Sequence, residues 1–327
     1  MKTALVTGGA GYIGSHTVRE LLKEDYNIII LDDLNKGHKE SVPENVKLII
    51  GDLNDTKLLD KIFSEENIDF VIHFAASIEA GESMTNPQKF FKNNTRNTMN
   101  LLESMLKHNV KKIVFSSTAA VYGEPEYIPI DEKHPKKPTN YYGLSKLMIE
   151  QILEAYDHAY GLKFIALRYF NASGADMAGK IGQDYTPDSH LIPIIIKAAL
   201  GQRDCIKVFG TDYKTEDGTC IRDYIHVSDL ARAHVLAIKY LYEKNQSDKI
   251  NLGTRKGYSV KEVIDMVKEV SGKDFKIIEE SRREGDPANL IAEFKKAELI
   301  LGWAPQHGLR DIISSAWTWH SSHPDGY

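Results

Sequence analysis

An apolar run, Ala4-Leu5-Val6, passes through Thr7 directly into Gly8-Gly9-Ala10-Gly11-Tyr12-Ile13-Gly14, after which a helical pattern begins. A strand that feeds a glycine turn and then a helix over so few residues specifies the opening of a parallel α/β unit. Each glycine has its own part at this spacing. Gly8 makes the tight turn, Gly11 lets the backbone approach a pyrophosphate, and Gly14 lets helix and strand pack closely. The free N–H groups at the helix start would then hold the anion. Gly8, Gly11, Tyr12, Ile13 and Gly14 are thus candidate cofactor contacts. Asp32 stands 18 residues after Gly14, at the end of the next apolar run. There a carboxylate accepts hydrogen bonds from a ribose diol and repels a 2′-phosphate, which favours NAD over NADP, although Lys36 lies close by. The plainer reading of Asp32 is a strand-end turn residue.

Further β-branched runs recur at 28–31, 46–50, 70–72, 113–115 and 164–167, and helical patterns at 14–23, 93–108 and 141–160 lie between them. Strands alternating with helices imply right-handed crossovers and a doubly wound, Rossmann-type parallel sheet. After Phe170 the rhythm changes to polar, Gly- and Asp-rich stretches with shorter helices. The expected division is therefore a dinucleotide-binding domain over 1–170 and a smaller α/β substrate domain over 171–327, with some helical segments after Arg222 packing back on the first. One helix of the second part is well marked: Ser259 and Glu262 form a capping box, Val260, Val263, Ile264, Val267 and Val270 form its apolar stripe, and Gly272 stops it. Residues 123–140 hold four of the eleven prolines and read as a loop.

Composition narrows the function. The 41 Lys+Arg against 46 Asp+Glu leave a net charge of −5 with no basic stripe, which argues against a nucleic-acid partner. Cys205 and Cys220 are too few for a disulfide framework or a four-cysteine metal site, so no metal is expected. The run from Met1 into Gly8 leaves no room for a signal-peptide apolar region, and no stretch is long enough for a membrane span, so the expected location is the cytoplasm.

Tyr142 and Lys146 stand at i and i+4 on one helix face, 24 residues after Thr118 in the hydroxyl cluster Ser116-Ser117-Thr118 at a strand end. Such pairs are common on helix surfaces. Here, however, the pair follows a dinucleotide unit, and ligands of such sheets bind at the carboxyl ends of strands. A tyrosine has an ordinary pKa of about 10, so to act as a base near neutrality it must fall by roughly three pH units, about 4 kcal/mol. Lys146 and the positive charge of a nicotinamide are the available sources.

Thr7–His16, the Tyr142/Lys146 pair and the chain length together resemble the extended short-chain dehydrogenase/reductase superfamily. Within it, His73-Phe74-Ala75-Ala76, Gly81-Glu82-Ser83, Asn93-Asn94, Leu167-Arg168-Tyr169-Phe170-Asn171, the run Asp212–Thr219 leading into Arg222-Asp223-Tyr224-Ile225-His226-Val227, and Arg283-Glu284-Gly285-Asp286 resemble the UDP-sugar 4-epimerase family almost end to end. The resemblance implies NAD-dependent interconversion of UDP-galactose and UDP-glucose by oxidation at C4, rotation of the 4-keto sugar and hydride return, with the NAD retained. It implies Tyr142 as the base, Lys146 as the group that lowers its pKa and holds the nicotinamide ribose, and Thr118 as a second hydroxyl at the substrate. It extends the cofactor site from the glycine turn and Asp32 to Asn35, Lys36, Asp52, Leu53, Phe74, Ala75, Ala76, Asn93, Ser116 and Tyr169. For the substrate it implies Arg222 and Arg283 at the diphosphate with Asn171, Phe209 at uracil and Asp286 at a ribose hydroxyl, with Phe170, His190, Leu191 and Leu290 completing the site. A homodimer through helices of the first domain is implied as well.

The chain departs from the family pattern in places. Thr118 replaces a common serine but keeps the hydroxyl; Ser189-His190-Leu191 replaces an Asn-Asn-Leu; and Ile78 stands where some relatives carry a cofactor-binding lysine. Leu290 occupies the place of a tyrosine that narrows the hexose pocket in some members, so its smaller side chain is expected to admit 2-acetamido sugars. The alternatives are an epimerase of UDP-N-acetylhexosamines or UDP-pentoses, or a catalytically silent NAD-binding regulator. Ala119-Ala120 after Thr118 supply none of the additional carboxylates that a dehydratase requires.

Overall fold

The computed structural model describes residues 1–186, 188–283 and 286–327; Pro187, Glu284 and Gly285, the last two belonging to the Arg283–Asp286 motif, lie outside the described residues. Strands β1 (Thr3–Thr7), β2 (Asn27–Asp32), β3 (Lys47–Ile50), β4 (Phe70–His73), β5 (Lys112–Ser116) and β6 (Lys163–Tyr169) pair in parallel in the order β3-β2-β1-β4-β5-β6. Their sequences are nearly continuous apolar runs because helices cover both faces. One core gathers Val6, Ile30, Ile72, Val114 and Ile165 from one face, and the other gathers Leu5, Ile29, Val71, Phe115 and Ala166. This is the expected Rossmann-type sheet, and its order reverses between β1 and β4, where a crevice opens beyond the strand ends.

The flanking helices include α1 (Tyr12–Leu22), α2 (Thr56–Glu65), α3 (Asn97–Lys107) and α4 (Tyr141–Tyr160). The helical pattern read over 93–108 has a structural joint: Phe91–Arg96 form a wide π-helical turn, and the α-helix begins only at Asn97. Such turns are frequent at functional sites because they rotate side chains out of the regular spacing. After Arg222 the chain returns to the first sheet. Helix α5 (Val227–Lys244) packs against α1, and a seventh strand, β7 (Asp248–Leu252), joins the edge beside β6. Strand β7 has no counterpart among the apolar runs read from the sequence.

The remaining residues form a smaller lobe with its own core of Ile195, Ile196, Val208, Val263, Val267, Ile312 and Ile313. Parallel strands Ile206–Phe209 and Ile277–Glu280 form one pair, and Ile221–Arg222 lies between Tyr258–Ser259 and Asn289–Leu290. The helix Val260–Ser271 carries the expected capping box and ends at Gly272, whose φ of 63° is the left-handed stop.

The glycine turn is held by close packing. A Cβ on Gly14 would lie 2.2 Å from the Gly8 carbonyl oxygen, and Gly8 itself has φ +72°. Gly14→Ala is therefore expected to lower the unfolding free energy by about 1–3 kcal/mol, the usual cost of overpacking. A urea midpoint equal to that of the unaltered protein would contradict this packing.

Candidate active site

The crevice at the strand ends is a cavity of about 300 Å³. Gly8, Gly11, Tyr12, Ile13 and Gly14 line it from the turn between β1 and α1. Helix α1 has no side-chain cap and no acidic residue in its first turn, so its leading N–H groups are open to an anion. Around Gly11 a side chain would meet only the Gly8 oxygen, at 3.3 Å. Space for a close backbone approach is thus built in. Asp32 fills both of its readings: it ties the turn together by accepting from Ala10 N at 2.9 Å and Leu34 N at 2.9 Å, and it also lines the cavity. Burial raises its pKa, opposed by these two hydrogen bonds. Asn35, Lys36, Asp52, Leu53, Phe74, Ala75, Ala76, Asn93, Ser116, Lys146 and Tyr169 line the same cavity. Observations made on this chain therefore fit a dinucleotide: a glycine cradle, an open helix start and a carboxylate at the second strand end.

At the far end of the cavity the hydroxyl cluster meets helix α4. Asn140 caps that helix by accepting from Gly143 N at 2.8 Å, and Gly143 lies so close to the turn after Thr118 that a Cβ would be 2.5 Å from the Ala120 oxygen. This approach sets Tyr142 beside Thr118 on the cavity wall. Lys146 is buried and donates to the Ser116 carbonyl at 2.8 Å. Beneath it, a buried pair joins Arg168 to Glu150, which also accepts from the Ser117 hydroxyl at 2.6 Å. Arg168 donates to the Tyr122 phenol at 2.8 Å, and that phenol donates to Asn251 of β7 at 2.6 Å. Asn251 in turn donates to the Ile130 carbonyl at 3.0 Å, and Ile130 N donates to Ile291 O of the smaller lobe.

Burial dominates the electrostatics of Tyr142 and Lys146. Burial pushes the Tyr142 phenol up to about 12, its contact with Thr118 opposes the rise, and the Glu79 charge adds to it. Burial likewise brings the Lys146 ammonium down to about 7, opposed by Glu150. In the ligand-free chain burial thus drives both groups toward neutrality.

A second cavity of about 420 Å³ adjoins the first, with Asn171, Ala172, Gln183 and His190 on the walls of both. Leu191, Phe209, Arg222, Arg283 and Asp286 line it as well. Arg283 lies with its guanidinium 4.0 Å from the Phe209 ring centroid, and Arg222 pairs with Asp286. An aromatic face, two guanidiniums and a carboxylate suit a nucleoside diphosphate. Cys205 and Cys220, both free, also line this cavity.

Thr118 and Phe170 line the first cavity, but Leu290 lines neither. It packs instead on Val121, Tyr122 and Ile130, beside Phe170. The expectation that its size admits 2-acetamido sugars therefore has no basis in the wall of the pocket. Several lining residues carry no motif in the sequence, among them Ser77, Glu79, Lys89, Asn97, Gln183 and Tyr185. Asn94 carried a signal, since it neighbours Asn93: buried, it accepts from Ser77 N at 2.8 Å and donates to Ser145 at 3.0 Å, joining the π-turn to helix α4. At Ile78 no lysine is present, yet Lys36 and Lys89 line the same cavity, with Glu79 and Glu82 as their respective partners.

Residues 4–253 match the NAD dependent epimerase/dehydratase family. The chain is 54% identical to the UDP-glucose 4-epimerase of Halalkalibacterium halodurans, covering 99% of this chain and 97% of that protein. It superposes with a TM-score of 0.94 on the UDP-glucose 4-epimerase of Bifidobacterium longum in complex with NAD+ and UDP, at 41% identity over 100% of both chains. The UDP-Glc/GlcNAc 4-epimerase of Campylobacter jejuni gives a TM-score of 0.87 at 45% identity, covering 98% of this chain and 100% of that one.

The Lys146 shift has a consequence for stability. An unfolded lysine titrates at its ordinary 10.5 and the buried one at about 7, so between these values the unfolded chain binds the extra proton. Stability of the cofactor-free protein therefore gains a contribution as pH rises from 7 to 9. Urea unfolding at the two pH values should show this gain, and Lys146→Met should remove it; an equal slope in both proteins would contradict the burial of a titrating amine.

Proposed function

The chain belongs to the NAD dependent epimerase/dehydratase family, and from that premise we infer how its residues carry out the reaction. It is an NAD-dependent isomerase that interconverts UDP-galactose and UDP-glucose. The observation that carries the assignment of roles is the junction of the two cavities: Tyr142, Lys146 and Thr118 line the cofactor side, and Asn171 and His190 open onto the side that holds Arg222 and Arg283. A nicotinamide held on the cofactor side would supply reversible hydride exchange with C4 of the hexose.

In our proposal Tyr142 takes the proton of the sugar 4-hydroxyl and gives it back, and Thr118 supplies a second hydroxyl to the same oxygen. Lys146, fixed by the Ser116 carbonyl, holds the nicotinamide ribose. The glycine turn and helix α1 hold the pyrophosphate, Asp32 the adenosine ribose, and Asn35, Lys36, Asp52 and Leu53 the surroundings of the adenosine. Phe74, Ala75, Ala76, Asn93, Ser116 and Tyr169 complete the cofactor wall. Arg222, Arg283 and Asn171 take the diphosphate, Phe209 the uracil and Asp286 a ribose hydroxyl, while Phe170, His190 and Leu191 bound the sugar. The cavity walls and the chemistry of each side chain support these roles. We further propose a cofactor domain over 1–170 and a UDP-sugar domain over 171–327, with α5 and β7 returned to the first sheet. A cytoplasmic homodimer completes the proposal, in keeping with the family resemblance; among the described residues no helix is long and apolar enough to cross a membrane.

Proton NMR of the purified protein with UDP-galactose and no added NAD tests this directly. The spectra should reach one fixed UDP-glucose to UDP-galactose ratio from either side, and Tyr142→Phe should slow the approach by about 10²–10⁴-fold, the usual worth of a positioned base. No conversion even after NAD is added, or unimpaired conversion by the Phe variant, would defeat the proposal.

A further inference from the structure

Residues 182–186 border the first cavity. Gln183 and Tyr185 line the cavity, together with Asn35, Lys36 and Gly37 of the loop after β2. Asp184 and Thr186 are held through their backbone carbonyls. Asp184 O takes a hydrogen bond from His38 Nε2 at 3.1 Å, and Thr186 O takes one from Lys36 Nζ at 3.2 Å, so both tie the segment to the loop that carries Asp32.

The third clamp is Tyr327. Its hydroxyl accepts from Gly182 N at 3.0 Å and reaches Gly182 O at 3.2 Å, while its own N–H donates to the Asp184 carboxylate at 3.1 Å. Its ring stacks on His38, with centroids 4.7 Å apart and planes at 26°, and leans on Trp319 at 5.3 Å. Trp319 is buried on the helix Leu309–Ser322 of the smaller lobe. Tyr327 lines neither cavity. It joins three things: the segment 182–186, the loop after β2, and a buried ring of the other lobe.

We infer that Tyr327 is a positioning residue that clasps residues 182–186 over the bound dinucleotide and thereby sets how slowly NAD leaves. The inference rests on the NAD reading above and adds the residue that enforces retention. A side chain outside the cavity then acts on release of the cofactor and leaves the chemistry at Tyr142 unaffected.

The holoenzyme and its Tyr327→Ala and Tyr327→Phe variants should be loaded with NAD, and exchange against isotopically labelled NAD followed by rapid gel filtration. Losing the ring and its hydrogen bonds together should speed exchange by at least about tenfold, whereas Phe, which keeps the ring, should lie between. With saturating added NAD, kcat of the Ala variant should stay within about twofold of the unaltered enzyme while its KM for NAD rises. Hydrogen exchange at the Gly182 amide should accelerate in the Ala variant. An unaltered exchange rate in a folded Ala variant overturns the clasp, as does a kcat that falls and is not restored by NAD. If Ala does not fold, the Phe variant decides, and exchange equal to the unaltered enzyme overturns the part assigned to the hydroxyl. An unaltered protein that binds no labelled NAD at all would instead overturn the cofactor reading beneath the inference.

Discussion

The buried pair of Glu150 and Arg168 is the interaction on which the catalytic edge depends. Two charges taken out of water are costly, and such a pair is tolerated only where its remaining hydrogen-bonding capacity is filled. Here it is: Ser117 donates to the carboxylate, and Tyr122 accepts from the guanidinium and passes the chain on to Asn251 and Ile130. Ser117 sits between Ser116 and Thr118, and Glu150 is one helical turn beyond Lys146, so the pair fixes the strand end and the catalytic helix against each other. Because Ile130 is also bonded to Ile291, the same chain of contacts reaches the smaller lobe. Its members come from the turn after β5, from α4, β6 and β7, and from the proline-rich loop, so the network couples all of these to Thr118 and Lys146.

Above that anchor, the electrostatics favour a site that waits for its cofactor. Burial holds Tyr142 protonated and weakens the charge on Lys146. A tyrosine in that state is a poor base, so proton abstraction is tied to arrival of positive charge at the cofactor wall. In the proposed cycle a reduced nicotinamide would no longer carry that charge, and Tyr142 would again be favoured as the acid that gives its proton back. Oxidation and reduction thus use the same residue in opposite senses, and a retained cofactor suits this cycle better than an exchanged one.

Much of this was legible in the sequence because strand ends and a glycine turn are local features. Strands β1, β2, β4, β5 and β6 are buried along nearly their whole length and announce themselves as apolar runs, and the residues that follow them fall on the cavity almost by construction. Strand β7 does not: Asp248-Lys249-Ile250-Asn251-Leu252 alternates polar and apolar, and its Asn251 is buried only because Tyr122 and Ile130 supply partners from distant parts of the chain. The π-turn at Phe91–Arg96 hid within a helical pattern for a similar reason, since burial of Asn94 is offset by Ser77 and Ser145 rather than by its neighbours. Leu290 lies on a two-residue strand, and the family pattern does not say which way so short a strand faces. Gln183, Tyr185 and Tyr327 gave no signal at all, because what they do depends on a segment being spanned and clamped in three dimensions.

The most direct measurement is a titration of the Tyr142 phenolate by ultraviolet difference absorbance, with Tyr142→Phe as the blank, in the cofactor-free protein and with NAD+ bound. Ionisation should move from about 12 without the cofactor toward neutrality with it, and reduction of the bound nicotinamide should move it back up. A Tyr142 pKa that is the same in all three states would contradict the coupling between cofactor charge and base that the mechanism requires.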